Sequence, residues 1–432
     1  MTTDATIFAV ASGAGRAAIT VMRISGPRCS GILDGLCRRR PPPRVAALRR
    51  LRSPAGDVLD RAMVLWFPGP SSYTGEDSAE LHLHGGRAVL AAVCEALLAA
   101  GARPAEPGEF TRRAFLNGRL DLLAAEAVAD LVDAETEAQR RQALTQMDGT
   151  LGDLYRGWTA RLVSLLAAQE ALIDFPDEDL PPEAAEGMAA SLATLCAEIA
   201  AHLDDHQCGE RLREGLVFAI AGPPNAGKST LINALARREV AIVSPRPGTT
   251  RDVLEVRLDV GGVPVTLLDT AGLRETDDPV EAEGVRRARA RFAAADLVIE
   301  LVDAASPVPA RAAEATGVLR IATKIDLAPL PADVQLGVSA LSGAGMDRLE
   351  AELATVAHRL TARAGPPPLT RARHRAALVE VAERVRSALG TSSPELRGED
   401  LRLALRAIGR VTGQVGMEDV LDSVFRQFCI GK

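Results

Sequence analysis

Eight consecutive residues, Gly222-Pro-Pro-Asn-Ala-Gly-Lys-Ser229, carry the first chemical expectation. Two glycines at this spacing let a backbone turn its N–H groups inward around an anion, and the ammonium and hydroxyl that follow complete a phosphate loop. Lys228 would reach the β- and γ-phosphates of a nucleoside triphosphate, and Ser229 would ligate Mg²⁺. The flanks agree with this reading. Leu216-Val-Phe-Ala-Ile-Ala221 is an apolar run suited to a buried parallel strand, and Thr230-Leu-Ile-Asn-Ala-Leu235 reads as a helix whose N-terminus adds partial positive charge. Lysine is otherwise scarce: Lys228, Lys324 and Lys432 stand against 47 arginines. A compact ammonium on a slim stem is not replaceable by a planar fork where a pocket is tight. The lysines therefore mark a nucleotide site and the C-terminus.

Further segments follow in the order a guanine-nucleotide site requires. Gly248-Thr-Thr-Arg251 offers Thr250 as a second Mg²⁺ hydroxyl. Val265-Thr-Leu-Leu268 reads as a strand that ends in Asp269-Thr-Ala-Gly272, where the carboxylate would hold Mg²⁺ through water and Gly272 N–H would meet the γ-phosphate. Thr323-Lys-Ile-Asp326 ends another strand; Asp326 can accept from two guanine N–H groups while the Lys324 stem packs on the base. Ser339-Ala340-Leu341 would meet the guanine O6 through backbone. Each tetrapeptide alone is weak, but together they read as a GTPase. Thr323 stands where guanine-specific sites usually carry Asn, and its hydroxyl can do part of the amide's tethering. Leu273 occupies the position from which a Gln often orients the attacking water. That role must pass to another group, with Arg274, Glu275, Asp277, Asp278, Glu281 and Glu283 just downstream.

The elements that must position these groups fall into distinct regimes. Over 1–118, short alternating runs such as Ile19–Ile24, Ala62–Phe67 and Glu80–His84, bounded by Gly and Pro, predict an α+β domain. Over 119–210, stripes at three and four spacing (Leu120, Leu123, Ala127, Leu131; then Leu162, Leu165, Leu166, Leu172) predict long helices. Residues 211–365 alternate strand-like and helix-like segments, as in a doubly wound α/β sheet. Gly365-Pro-Pro-Pro-Leu369 reads as a linker and 371–428 returns to helical periodicity, which makes 366–432 the second part of the helical domain. The simplest organisation is an all-α helical domain interrupted by an inserted α/β domain, tolerated because domain termini often lie close together. A chain of 432 residues has room for this, and its net charge of −7 confines any attraction to nucleic acid to a local patch. Six cysteines (29, 37, 94, 196, 208 and 429) without a CxxC pair suggest free thiols in a reducing compartment. No basic-then-apolar leader follows Met1, and no apolar run approaches the roughly 20 residues that span a bilayer. A cytoplasmic location is the expectation.

Beyond the nucleotide motifs, the chain carries Arg23-Ile-Ser-Gly26, Phe67-Pro-Gly-Pro-x3-Thr-Gly-Glu-Asp77, His84-Gly-Gly86, Gly108-Glu-Phe-Thr-x-Arg-Ala-Phe-Leu-Asn117 and a terminal Phe428-Cys-Ile-Gly-Lys432. With these motifs the sequence resembles, over essentially its full length, the tRNA modification GTPases of the MnmE (TrmE) family. The resemblance implies a homodimer with an N-terminal α+β domain that binds 5-formyl-tetrahydrofolate or a related one-carbon folate. It implies a Ras-like G domain inserted into the helical domain. It also implies work with a flavin-dependent partner, MnmG (GidA), adding an aminomethyl-type group at C5 of the wobble uridine, position 34, of certain tRNAs. Hydrolysis of GTP with Mg²⁺ would be stimulated by K⁺ and coupled to pairing of two G domains.

Carried over by position, GTP contacts run through Asn225, Ala226, Gly227, Lys228, Ser229 and Thr230, then Ser244, Pro245, Arg246, Pro247, Gly248, Thr249 and Thr250. They continue through Asp269, Thr270, Ala271 and Gly272, then Thr323, Lys324 and Asp326, and finally Ser339, Ala340 and Leu341. Asn225, Ser244, Arg246 and Thr249 fall on the K⁺ site, and Ser229 and Thr250 on Mg²⁺. Glu281 falls on the glutamate that orients the hydrolytic water, and Arg23, Glu80, Arg119 and Lys432 fall on folate contacts. Two positions depart from the family pattern. Arg119 replaces a common lysine and keeps the charge for the folate's glutamate tail. Arg246 replaces an apolar residue. Turned inward, it would repel a cation by roughly several kcal/mol at low dielectric; turned to solvent, only its carbonyl matters.

Other features read more plainly. His82 and His84 share one strand face without an obvious third ligand and suit a pocket wall. Cys429 has no base linked to it by sequence and reads as an exposed thiol. The clusters Arg38-Arg-Arg40 and Arg49-Arg-Leu-Arg52 flank Pro41-Pro-Pro43 in an expected loop, either solvated or against tRNA phosphates. The rival to a modification role is a GTPase serving as a ribosome-assembly or RNA-binding factor, which would need no folate pocket. A signalling GTPase would leave the first 118 residues unexplained.

Overall fold

The computed structural model describes residues 5–13, 15–174, 182–238, 255–269, 293–306, 317–362, 367–413, 424–425, 428 and 431. The chain divides into two compact units: Met1–Ala129 with Met147–Asp179 and Thr391–Lys432, and Asp130–Gln146 with Leu180–Gly390.

In the first unit a six-stranded sheet has the order β3-β4-β5-β2-β1-β6. Its strands are β1 (Ile7–Val10), β2 (Ile19–Ser25), β3 (Ala47–Arg52), β4 (Val58–Phe67), β5 (Ser78–His84) and β6 (Arg103–Pro104). All neighbours are antiparallel except β1 and β6. Strand side chains alternate between faces, so one set of residues meets the core and the other does not. Met22, Ile24, Ala62, Val64, Leu81 and Leu83 form the apolar face and pack with Ile32, Leu33 and Leu36 of α1 (Cys29–Cys37) and Val93 and Leu97 of α2 (Arg87–Ala99). The alternate set, Arg23, Glu80 and His82, lies on the opposite face. There β1 residues Ile7 and Ala9 pack with Phe110 of α3 (Glu109–Leu116). The expected strands are present and somewhat longer than the periodicity suggested. The arginines at 49, 50 and 52 require a correction: they lie on β3, paired antiparallel with β4, and not in a loop. Leu48 and Leu51 give that segment too few apolar positions to read as a strand by alternation alone.

Helices follow in both units: α4 (Leu122–Asp133), α5 (Glu137–Met147), α6 (Thr150–Asp174), α7 (Pro182–Leu203) and α8 (Cys208–Glu214). Residues 122–127 of α4 are all buried, so its three-four stripe understates how fully it is enclosed. On α6, Leu162 and Leu165 are buried as the stripe predicted, and so is Gln169.

In the second unit the sheet order is β12-β11-β10-β7-β9-β8. Its strands are β7 (Leu216–Ala221), β8 (Glu255–Val260), β9 (Val263–Asp269), β10 (Leu297–Asp303), β11 (Val318–Thr323) and β12 (Leu336–Val338). Only the β8–β9 pair is antiparallel. Every residue of β9 is buried, as a strand covered on both faces must be. Its core joins Phe218, Val265 and Leu267 to Leu231 and Leu235 of α9 (Lys228–Arg238) and Leu349 and Leu353 of α10 (Met346–Thr361). Two further helices, α11 (Ala372–Gly390) and α12 (Pro394–Thr412), pair across the insertion: α11 with α7 in this unit, and α12 with α6 in the first. Arg402 of α12 meets Glu170 of α6 at 2.5 Å.

The chain leading into the α/β sheet and the chain leaving it are clipped together. Asp205, fully buried, accepts from Gln207 N (3.0 Å), Leu369 N (3.3 Å) and Arg375 Nη2 (2.5 Å). A Cβ at Gly209 would lie 2.3 Å from Leu369 O, so the backbones approach as closely as only glycine permits. Gly209→Ala is expected to force them apart at a cost of about 1–3 kcal/mol. The urea midpoint of the full-length protein should fall accordingly; an unchanged midpoint would show that the close approach is not required.

Candidate functional site

The phosphate loop stands at the carboxyl end of β7, where ligands of open α/β sheets bind. Asn225 (φ 63°) and Gly227 (φ 86°) adopt left-handed backbone within it. Gly222 is pressed against the neighbouring strand: a Cβ there would sit 2.8 Å from Leu301 O, at a φ of 152°. The loop then enters α9 at Lys228, so the helix N-terminus faces the cradle. Lys228 reaches back across it and donates to Gly222 O (2.9 Å) and Pro223 O (3.0 Å). Asn225, Ser229 and Thr230 are exposed, and Ala226 is buried beneath them.

The parallel register of β7 and β9 pairs Ile220 with Asp269, which brings the strand-terminal carboxylate to the loop. Ser229 Oγ donates to Asp269 Oδ2 at 3.0 Å. A hydroxyl and a carboxylate converging in this way form a hard-oxygen donor set of the kind Mg²⁺ takes beside a nucleotide's phosphates.

The base-side residues gather at the ends of β11 and β12. Thr323 is buried, and its Oγ1 donates to Ala226 O at 2.8 Å, tying the phosphate loop to the base loop. Lys324 follows with φ 59° and pairs through Nζ with Asp303 Oδ2 at 2.5 Å. The ammonium holds the Asp303 carboxyl below the usual carboxylate range, helped by the N–H of Ala305 at 2.9 Å. Asp326 is exposed. Ser339 is buried and accepts from Ser342 N at 3.2 Å, while Ala340 is half-buried and Leu341 stands out to solvent. Asp303 escaped the sequence reading; its sole signal was an acid closing the apolar run of β10. Ser244, Pro245, Arg246, Pro247, Gly248, Thr249, Thr250, Thr270, Ala271, Gly272, Glu281, Cys429 and Lys432 lie outside the described residues.

A second group of candidate residues lies on the first sheet. Arg23 of β2 and Glu80 of β5 are directly opposite in the register and pair at 3.0 Å. The Arg23 guanidinium lies 5.4 Å from the Tyr73 ring and 5.8 Å from the Phe110 ring. Tyr73 is fixed through its hydroxyl to Thr111 Oγ1 at 2.9 Å, and burial raises its pKa. The loop that carries it is anchored by Arg113, nearly buried, which pairs with Glu76 at 3.0 Å and Glu109 at 2.8 Å. Asn117 Nδ2 adds a bond to Thr74 O at 2.6 Å. Arg119 is exposed, with its stem beside Gly75. An arginine flanked by two rings and a carboxylate can hold a planar, anionic ligand. Tyr73, Phe110 and Arg113 lay inside recognised motifs but had no role assigned by sequence.

His82 and His84 do not form a metal pair: His84 Nδ1 bonds Asp60 Oδ1 at 2.7 Å, and His82 lies 3.6 Å from Glu80. Among the described residues no group of three metal-ligating side chains occurs.

A doubly wound sheet with this phosphate loop, its Asp269 and its base-side lysine and aspartate defines a P-loop GTPase. The comparisons carry the identification further. The family described as MnmE helical domain matches residues 122–429, and that described as GTP-binding protein TrmE N-terminus matches residues 6–119. The tRNA modification GTPase MnmE of Gluconacetobacter diazotrophicus is 60% identical over 434 residues, covering 99% of this chain and 98% of that protein. Those of Granulibacter bethesdensis and Rhodospirillum rubrum are each 56% identical, covering 99% and 100% of this chain and 99% and 100% of theirs. The chain belongs to the MnmE family of tRNA modification GTPases.

Asp303 holds the Lys324 ammonium; if Lys324 packs on the base as its motif implies, Asp303→Asn should weaken GDP and GTP binding about three- to tenfold, a modest loss because the pair is partly exposed. Turnover at saturating GTP should hold. Because Lys324 lowers the Asp303 pKa, its contribution is present above the ordinary carboxylate range and is lost as pH falls through the lowered value. Fluorescent-nucleotide titration reads both effects, and wild-type affinity in the variant would remove Asp303 from the site.

Proposed function

We propose that this protein hydrolyses GTP to drive conformational change during modification of the wobble uridine, position 34, of certain tRNAs. In this reading a flavin-dependent partner of the MnmG (GidA) type shares the reaction, and an aminomethyl-type group is added at C5 from a formyl-tetrahydrofolate. The protein acts as a cytoplasmic homodimer. Residues 1–118 form the folate-binding and dimerisation domain, 211–365 the G domain, and 119–210 with 366–432 the helical domain around it. No helix among the described residues is long and apolar enough to cross a membrane.

The observation that carries the folate part of this reading is the setting of Arg23, paired with Glu80 and flanked by Tyr73 and Phe110. A pterin is planar and polar at its edge, and its glutamate tail is anionic. Arg23 and Glu80 suit the ring's donors and acceptors, while Arg119 and Lys432 suit the tail. Bound folate would supply the one-carbon unit; these side chains bind and orient it.

In the G domain, Lys228 and the loop N–H groups bind phosphate, and Ser229 with Thr250 and Asp269 would hold Mg²⁺. Glu281 orients the water; Asn225, Ser244, Arg246 and Thr249 would hold K⁺, which when bound would supply positive charge against that developing on the phosphates. Asn225, with its left-handed backbone and exposed side chain, suits such a role.

Calorimetric titration with 5-formyl-tetrahydrofolate, beside an Arg23→Ala variant, tests the reading. Binding by the wild type and its loss in the variant are expected. A wild type that hydrolyses GTP without binding folate would favour the RNA-factor alternative. Glu281→Ala should lower turnover by roughly a hundredfold or more while leaving GTP affinity intact, on the scale of losing one preorganised catalytic group. Undiminished single-turnover hydrolysis would assign the water to another residue.

A further inference from the structure

Between residues 28 and 61 the chain places nine arginines against three carboxylates, in a protein whose net charge is −7. Apart from Arg28, which lies beside Thr6 and Gly101 next to β1 and β6, these arginines fall on β3, on β4 or in the segment that leads from α1 into β3, the edge strand of the sheet. Arg50 of β3 and Arg61 of β4 are directly opposite in the antiparallel register, and both are exposed. Like charges facing each other across a ladder are unfavourable unless an anion lies between them. Neither has a carboxylate partner among the described residues, nor do the exposed Arg38 and Arg39 at the end of α1. On the other side of β3, Arg49 is held by Arg39 O at 3.2 Å and Leu48 O at 3.0 Å, so that it is presented in a fixed orientation. Arg38 and Arg44 adopt left-handed backbone (φ 61° and 60°), a costly conformation for a residue other than glycine. The three acids do not neutralise the group. Asp34 pairs with Arg40, Asp60 is buried against His84, and Asp57 lies in the β3–β4 turn.

We propose that this arginine-flanked sheet edge is a docking surface for the phosphate backbone of a folded RNA. The site carries no exposed aromatic platform: Trp66 is covered by Arg40, whose guanidinium lies 4.6 Å from the ring. Base stacking is therefore not its mode, and contact with phosphates positions the RNA without reading its sequence. Exposed Leu48 and Met63 neighbour the Arg50–Arg61 pair and raise the alternative of contact between two copies of the chain. Self-association there would bring two such pairs together, so charge favours the polyanion. The proposal rests on the tRNA reading above and adds the surface.

The test is fluorescence anisotropy of a labelled tRNA transcript with the full-length protein at salt from about 50 to 200 mM, where phosphate contacts dominate. R50E/R61E is compared with R140E/R141E, an equal change of charge on the exposed face of α5. The β-edge variant should bind at least about tenfold more weakly, with a salt slope shallower by about two, and the α5 variant should stay near wild type. GTP turnover in both verifies folding. Wild-type binding that both variants retain would overturn the surface and leave the tRNA reading standing. Loss of binding accompanied by a change of mass in light scattering would assign the edge to contact between copies. A wild type that binds no tRNA would overturn the surface and the reading together.

Discussion

Parallel pairing of β7 with β9 is the constraint on which the nucleotide site depends. It sets Ile220 beside Asp269, and from that register the Ser229 hydroxyl and the Asp269 carboxylate arrive within 3.0 Å. Both strands are held by burial, since no residue of β9 is exposed and β7 contributes Phe218 and Ile220 to the core. A slip of one residue would exchange the faces of the strand and withdraw the carboxylate from the loop. The same sheet then carries the base side. Thr323 bonds the phosphate loop through Ala226 O, so that loop and the end of β11 are joined through a buried hydroxyl.

The N-terminal sheet uses strand alternation differently. One face is given to packing under α1 and α2, and the other presents Arg23, Glu80 and His82 in register. Arg113 is held between Glu76 and Glu109, which locks the loop bearing Tyr73 to α3. Removing either carboxylate would leave a buried guanidinium only partly compensated, which is why such clusters resist loosening. The ring that faces Arg23 is thus placed by a rigid ionic anchor rather than by the loop's own preference.

Much of this was legible in the residues. The phosphate loop announced itself through glycine spacing and flanks, and its strand and helix lie where that reading put them. What escaped shares a physical cause. Asp303 meets Lys324 and Asp60 meets His84 only because strands from distant segments become neighbours, and Phe110 meets Arg23 only because α3 packs on that sheet. Local periodicity contains no register between strands, so such partners have no signature in one dimension. The β3 arginines were missed as a strand for another reason. An edge strand can carry charge on both sides, and then alternation of apolar residues fails as a signal.

The clip at Asp205 bears on why an α/β domain can sit inside a helical segment at all. Closing a long loop between two packed helices normally costs entropy that grows slowly with its length. Here the two ends of the insertion touch, through Gly209 and Leu369, and one buried carboxylate bonds both. To the helices on either side, the inserted domain is a short crossover whose span does not depend on what it encloses. The domain also rests on the helical segment beside it, where Ala138 N donates to Gly262 O at 3.2 Å and Arg257 pairs with Glu135 at 3.0 Å, so the neck sets the span of the crossover while these contacts add a second hold.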